Sequence, residues 1–299
     1  MPKQSRFPSW IPTVLAAAAI YFVVAYSSKT GVITDYWYKV IQFGALVAIS
    51  ALGLNLIYGF NGQFSLGHIG FYAIGAYSSA LVTKDYLTKW SGSNQGALSW
   101  MIAGEAGVVL VLLAAQVLRI GKVNAWLRAN LQDILKPSEY KVMTAAASVV
   151  LAAVCVAVGV GGGYLLQKVL MIVFGALLKL PATIAQNIIF LIALVNGGLL
   201  AALIGYLVGM PLLRLSSDYF GIATLGFSIM VYTALQNSDA VIPTMKGARG
   251  MVEIPVWTTW AWVFGVLVVV AFLMRNLVHS SQGRAIISIR EGEIAAKTM

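Results

Sequence analysis

Eight apolar runs, each near the length of a bilayer-crossing helix, constrain this chain more than any motif in it. They fall at roughly 10–28, 37–58, 65–83, 99–118, 143–165, 186–210, 219–236 and 257–274. A helix rises about 1.5 Å per residue and needs about 20 apolar residues to cross hydrocarbon. Charged residues make up 10% of the chain and hydrophobic ones 60%, whereas a soluble domain is about 25% charged. The expectation is an all-α fold: a polytopic transmembrane helical bundle of about eight spans, forming one membrane domain over residues 1–299. The third run is short unless the polar residues before it supply its first turn.

Lys and Arg set the orientation. With the N-terminus inside, twelve of the 20 basic residues fall on inner segments, including the two densest clusters, Arg119 to Lys141 and Arg275 to Lys297. Both chain ends are then cytoplasmic, and residues 119–142 form a cytoplasmic loop. The net charge of +10 is explained by loops meeting anionic lipid, with no need for nucleic acid. Lys3 and Arg6 precede an apolar run, Trp10 to Tyr26, that exceeds a signal-peptide core and lacks a small-x-small cleavage site. It reads as a retained first span. The one cysteine, Cys155, lies in an apolar run and reads as a packing residue.

Between the second and third runs lies a polar, glycine-rich joint, Gly59 to His68, within G-L-N-L-I-Y-G-F-N-G-Q-F-S-L-G-H-I-G-F-Y-A-I-G-A-Y. Irregular backbone at membrane depth must face protein or a water-filled path. A discontinuous helix near 59–68 would therefore mark a transport pathway; the alternative is a tight loop at the membrane surface. Asn55, Gln63, Ser65 and His68 around the joint, with Thr224, are the candidate pathway residues.

Other segments carry weaker signals. Ser91 to Gly96 is a polar outer turn. Lys168 to Leu180 reads either as an interfacial helix stopped by Pro181 or as part of a longer hairpin. Arg214 and Asp218 are spaced to pair across one helical turn, and Asp218 also suits the start of span seven. Glu105 is the one acidic residue well inside a span; Gly104 and Gly107 beside it point to close packing rather than chemistry. Thr244 to Met251, with Lys246 and Arg249 among glycines, is an outer loop that either stays free or docks an external partner.

No H-x-x-x-H, C-x-x-C, G-x-S-x-G or Walker A pattern occurs. No catalytic residue, metal site or cofactor is expected, and the chain is not expected to be an enzyme. The spans also lack the several buried carboxylates of proton-coupled carriers. Energy for uphill transport would come from another chain. Ser281 to Met299 mixes apolar and charged positions, as a short helix plugging into a partner's groove would.

Several blocks, in order, resemble the permeases of branched-chain amino acid ABC importers: G-L-N-L…G-Q-F-S-L-G-H-I-G-F-Y-A-I-G-A-Y, R-L-S-S-D-Y-F-G-I-A-T-L-G-F, K-G-A-R-G-M and G-R-A-I-I-S-I-R-E-G-E-I-A-A. They cover most of the chain outside 84–185. The resemblance implies a bacterial inner-membrane location and four kinds of partner: a second related permease, two ATPase subunits, a periplasmic or extracellular substrate-binding protein, and the lipid bilayer. It implies that 281–299 is the cytoplasmic coupling segment, with Gly283, Arg284, Arg290, Glu293, Ala295 and Ala296 meeting the ATPase. It also makes Lys246 and Arg249 the candidate binding-protein contacts. The implied cargo is leucine, isoleucine or valine; related systems carry urea, short amides or other amino acids. Against this stand a stand-alone channel or secondary carrier and a non-transporting anchor. Members of the resembled family continue past this segment with further spans, so the stop at Met299 predicts a longer natural protein or a truncated gene product.

Overall fold

The computed structural model describes residues 10–89, 95–117, 137–177, 180–215 and 217–292. Among them all regular structure is helical. In chain order the helices are α1 (Trp10–Lys29), α2 (Asp35–Asn55), α3 (His68–Lys89), α4 (Gln95–Val117), α5 (Pro137–Leu177), α6 (Ala182–Leu212), α7 (Ser217–Gln236), α8 (Trp260–His279) and α9 (Ser281–Glu291). One turn of π-helix, Leu56–Phe60, prolongs α2, and three short 3-10 turns lie between α7 and α8.

Each of the eight expected spans corresponds to one of α1–α8. Five of the described helical segments are long and apolar enough to cross a membrane: Asp35–Phe60, Ala145–Leu177, Ala182–Leu212, Tyr219–Gln236 and Trp260–His279. The figure of eight is therefore not reached by length and hydropathy alone. In α3 the reason is plain, because Lys84, Asp85 and Lys89 interrupt its second half.

Three boundaries depart from expectation. Helix α3 starts at His68, so residues 65–67 do not supply its first turn; it gains its length at the other end. Helix α5 starts at Pro137, where the missing N–H costs nothing in the first turn, so residues 137–142 are helix rather than loop. It then runs 41 residues without a break, roughly 60 Å and about twice the thickness of a hydrocarbon core. Lys168 to Leu177 accordingly continues α5 and is no separate interfacial helix. Most of loop 119–142, the turn at 91–94 and the side chain of Asp218, with its pairing to Arg214, lie outside the described residues.

The chain forms two compact units. One comprises Met1–Tyr72, Val208–Ala234 and Val256–Met299; the other comprises Ala73–Leu207 and Leu235–Pro255. In both, polar side chains are buried beside apolar ones such as Phe227 and Ile189, and large apolar side chains face outward. Buried positions include Ser65 and Thr224 in the first unit and Ser78, Thr83, Gln167 and Asn196 in the second. The outward positions carry Tyr36, Trp37, Phe43 and Val47 on α2, and Leu191, Val195 and Leu199 on α6. An apolar surface this continuous is stable in lipid, not in water.

In the first unit α2 packs on α8, and α8 on α1 and α9. Tyr21 of α1 and Trp260 of α8 both stack near Phe264. In the second unit glycines let helices touch backbone to backbone. A Cβ on Gly107 of α4 would lie 3.0 Å from the Gly159 carbonyl of α5, and one on Gly159 would lie 2.7 Å from that of Gly107. Ala103 and Gly163 meet the same way one turn further on. This is the small-xxx-small packing that replaces hydrophobic association inside a bilayer. Helices α3 and α6 cross likewise at Gly75 and Gly197. Beside that crossing, the Asn196 amide donates to Ser78 Oγ at 2.9 Å and to Glu105 Oε1 at 3.4 Å. Glu105 is thus one member of a polar tie among α3, α4 and α6.

Filling the backbone contact should be felt directly. Gly159→Val is expected to destabilise the chain by about 1–3 kcal/mol, the usual cost of overpacking. Gly161→Ala, where a Cβ meets nothing within 4 Å, should be neutral or slightly stabilising. Thermal unfolding of the purified chain in detergent reads both, and equal effects would contradict the α4–α5 packing.

Candidate functional site

Helical hydrogen bonding stops between α2 and α3. The π turn closes with the Asn61 N–H bonded to Leu56 O at 3.2 Å. Two residues on, the Gln63 N–H reaches back to Ile57 O at 3.2 Å rather than to Gly59, as a continuing α-helix would require. Gly62 takes φ +74°, a left-handed turn that glycine adopts without penalty. Residues 61–67 then run irregularly until His68 starts α3.

The freed backbone groups are met by side chains of α7. The Leu66 N–H donates to Thr224 Oγ1 at 3.0 Å, and Ser228 Oγ donates to Leu66 O at 2.8 Å. Thr224 and Ser228 lie four residues apart, so both hydroxyls project from one face. Thr224 Oγ1 also donates to Gly221 O at 2.9 Å. Close approach is needed for these bonds. A Cβ on Gly67 would lie 3.1 Å from Thr224, one on Gly70 3.0 Å from the Phe227 ring, and one on Gly221 3.1 Å from Phe64. Phe71 and Phe227 stack at 4.7 Å between centroids just beyond. The glycines of the joint are therefore packing residues as well as turn residues.

Helices α2 and α9 also hold the joint, at His68 and at Gly59 respectively. His68 Nε2 and Ser50 Oγ are joined at 2.8 Å, and Gly53 leaves room for the imidazole, whose Cε1 would lie 3.3 Å from a Cβ there. Arg290 of α9 donates from Nη1 to Gly59 O at 2.9 Å. Helix α9 itself turns away from α8 at a tight corner. Ser280 caps it by accepting from the Gly283 N–H at 3.1 Å. Gly283 is buried against the last carbonyls of α8, and a side chain there would collide with Leu277 O.

The sequence-derived residues thus fall into three groups. Ser65, His68 and Thr224 gather at the break, the first and last of them buried. Gln63 is half-buried in the joint, and Asn55 is exposed on α2 with its amide lying over Gly59, where any Cβ would strike it. Gly283, Arg284 and Arg290 lie on α9, while Glu293, Ala295 and Ala296 fall outside the described residues. Lys246 and Arg249 are exposed in the 3-10 turns after α7. That loop is folded on itself: Gly247 is buried against Gln236 O and Asp239, at φ +53°. Ser50, Ser228 and the target of Arg290 were not foreseen. Hydroxyls within apolar runs were the available signal for the first two.

Comparison with known proteins adds to this geometry. Residues 36–299 match the model of a family described as branched-chain amino acid transport system / permease component. Two curated relatives carry the name high-affinity branched-chain amino acid transport system permease protein LivM, one from Escherichia coli (strain K12) and one from Salmonella typhimurium (strain LT2). Each is 31% identical over a stretch covering 34% of this chain and 31% of the relative. The matched stretch thus spans about a third of those relatives. No solved structure matches the chain.

Removing one hydroxyl at the break should separate its roles. Thr224→Val keeps the shape but leaves the Leu66 N–H without an acceptor, and is expected to cost about 1–3 kcal/mol. Thr224→Ser should retain most of that stability. Chemical or thermal unfolding in detergent distinguishes them, and equal stability of Val and Ser variants would contradict the assignment.

Proposed function

Because the chain belongs to the branched-chain amino acid transport system permease family, we propose that it is the membrane-spanning subunit of an ATP-driven importer. It carries branched-chain amino acids inward across a bacterial inner membrane. The family match over residues 36–299 is the observation that carries this reading. The helical, lipid-compatible architecture supports it.

In this reading α1–α8 all cross the bilayer, with the N-terminus and α9 on the cytoplasmic side. The break between α2 and α3 lies beside the solute path. Asn55, Gln63, Ser65, His68 and Thr224 supply neutral polar groups there, suited to a zwitterion held briefly and released. Lys246 and Arg249 meet the substrate-binding protein on the outer side. Gly283, Arg284, Arg290, Glu293, Ala295 and Ala296 meet an ATPase on the inner side. A second related permease completes the pathway, and two ATPase subunits supply the work.

The test is reconstitution in proteoliposomes with the neighbouring permease, ATPases and binding protein. Leucine uptake should require ATP and every partner; uptake without ATP would favour a stand-alone channel or carrier, and urea uptake in its place would change the cargo. Glu293→Lys should abolish co-purification of the ATPase while membrane insertion stays intact. Full co-purification with that variant would remove Glu293 from the coupling surface.

A further inference from the structure

We propose that Arg290 is a latch within the chain, tying the cytoplasmic helix α9 to the broken turn after α2, so that movement of α9 is delivered to the joint through the Gly59 carbonyl. This rests on the reading of α9 as the coupling helix.

The observations begin with an orphan. Gly59 O would accept from the Gln63 N–H if the helix continued, but that N–H goes to Ile57 O. A carbonyl released at a helix end carries partial negative charge and favours a cation. Arg290, 231 residues away in sequence, supplies it at 2.9 Å. The approach involves more than the guanidinium. At Gly62, where φ is +74°, a Cβ would lie 2.9 Å from Arg290 Cγ, 3.3 Å from its Cβ and 3.5 Å from its Cα. The bare backbone of the joint thus lies directly against α9, and a side chain at Gly62 would crowd the Arg290 side chain.

The joint is held at two places by different helices. Leu66 is fastened through both its N–H and its C=O to α7, while Gly59 and Gly62 are fastened to α9. Residues 63–65, with no helical ladder of their own, lie between the two attachments. A shift of α9 relative to α7 must therefore be absorbed in this segment, which contains Gln63 and Ser65. Arg290 is exposed, and its single charge-assisted bond can be broken and remade without burying an unpaired charge. Arg290 is a positioning residue: it acts on the joint and does not need to touch solute.

A reversible covalent replacement tests the latch. In a Cys155→Ser background, Gly62→Cys with Arg290→Cys places the two Cβ atoms about 3.3 Å apart, close to the separation of about 3.5–4.5 Å in disulfides. The purified chain should crosslink on mild oxidation. In the reconstituted transporter the crosslink should reduce uptake to background, and reductant should restore it. Failure to crosslink would overturn the contact; full uptake by a quantitatively crosslinked transporter would overturn the movement. As a second measurement, Arg290→Gln should lower solute carried per ATP hydrolysed by roughly tenfold, the weight of one charge-assisted hydrogen bond. Arg290→Lys should restore most of it. Equal losses in both variants, or a loss explained wholly by reduced folded protein, would reduce Arg290 to a structural cap. If the unaltered transporter carries no solute at all, the importer reading fails instead, and the unaltered arm reports that separately.

Discussion

Backbone groups that leave a helix need new partners, and the break between α2 and α3 is organised by that need. Every residue that leaves helical geometry there frees an N–H and a C=O from the helical ladder. At Leu66 both groups are taken by hydroxyls from α7, Thr224 and Ser228. At Gly59 the carbonyl is taken by Arg290. Remove those partners and the cheapest way to satisfy the backbone would be a continuous helix, which would erase the joint. The break therefore exists because side chains from α7 and α9 support it.

Close packing of the joint on α7 follows from the same requirement. Hydroxyl side chains are short, so the backbone must come within about 3 Å of them to be satisfied. Gly67, Gly70 and Gly221 make that approach possible by omitting a Cβ where one would meet Thr224, Phe227 or Phe64. In the second unit the same economy serves a different end. Gly107 with Gly159, and Gly75 with Gly197, bring helix backbones together, and the polar tie Ser78–Asn196–Glu105 lies among the buried apolar side chains. Glu105 is held in that tie by Asn196, which accounts for a carboxylate in an otherwise apolar run.

Helix α9 links this architecture to the proposed transport cycle. Its corner at Ser280 and Gly283 fixes how it leaves α8, and its far end returns to the joint through Arg290. A short helix held at one end by backbone geometry and at the other by a single cationic bond is suited to pivot. In the proposed latch the fixed end would transmit position, and the labile end would transmit movement to residues 63–65.

Much of this was legible in the residues themselves. Hydropathy is a local property, so runs such as 186–210 and 219–236 mark α6 and α7 without knowledge of any neighbour, and the cluster of polar and glycine residues from Gly59 to His68 marks the break between two apolar runs. Family blocks around the joint and at G-R-A-I-I-S-I-R-E were visible in the same way. What composition could not supply was the partner of each freed group. Thr224 and Leu66 lie 158 residues apart, and Arg290 and Gly59 lie 231 apart; only the packed chain brings them within bonding distance. Nor could local patterning show that α5 passes unbroken through Lys168, since a lone lysine is compatible with either a helix end or a helix interior. The sequence by itself determined that the chain is a set of lipid-compatible helices with one polar interruption. Tertiary structure alone decided which side chains sustain that interruption, because satisfying a backbone group depends on what lies beside it in space.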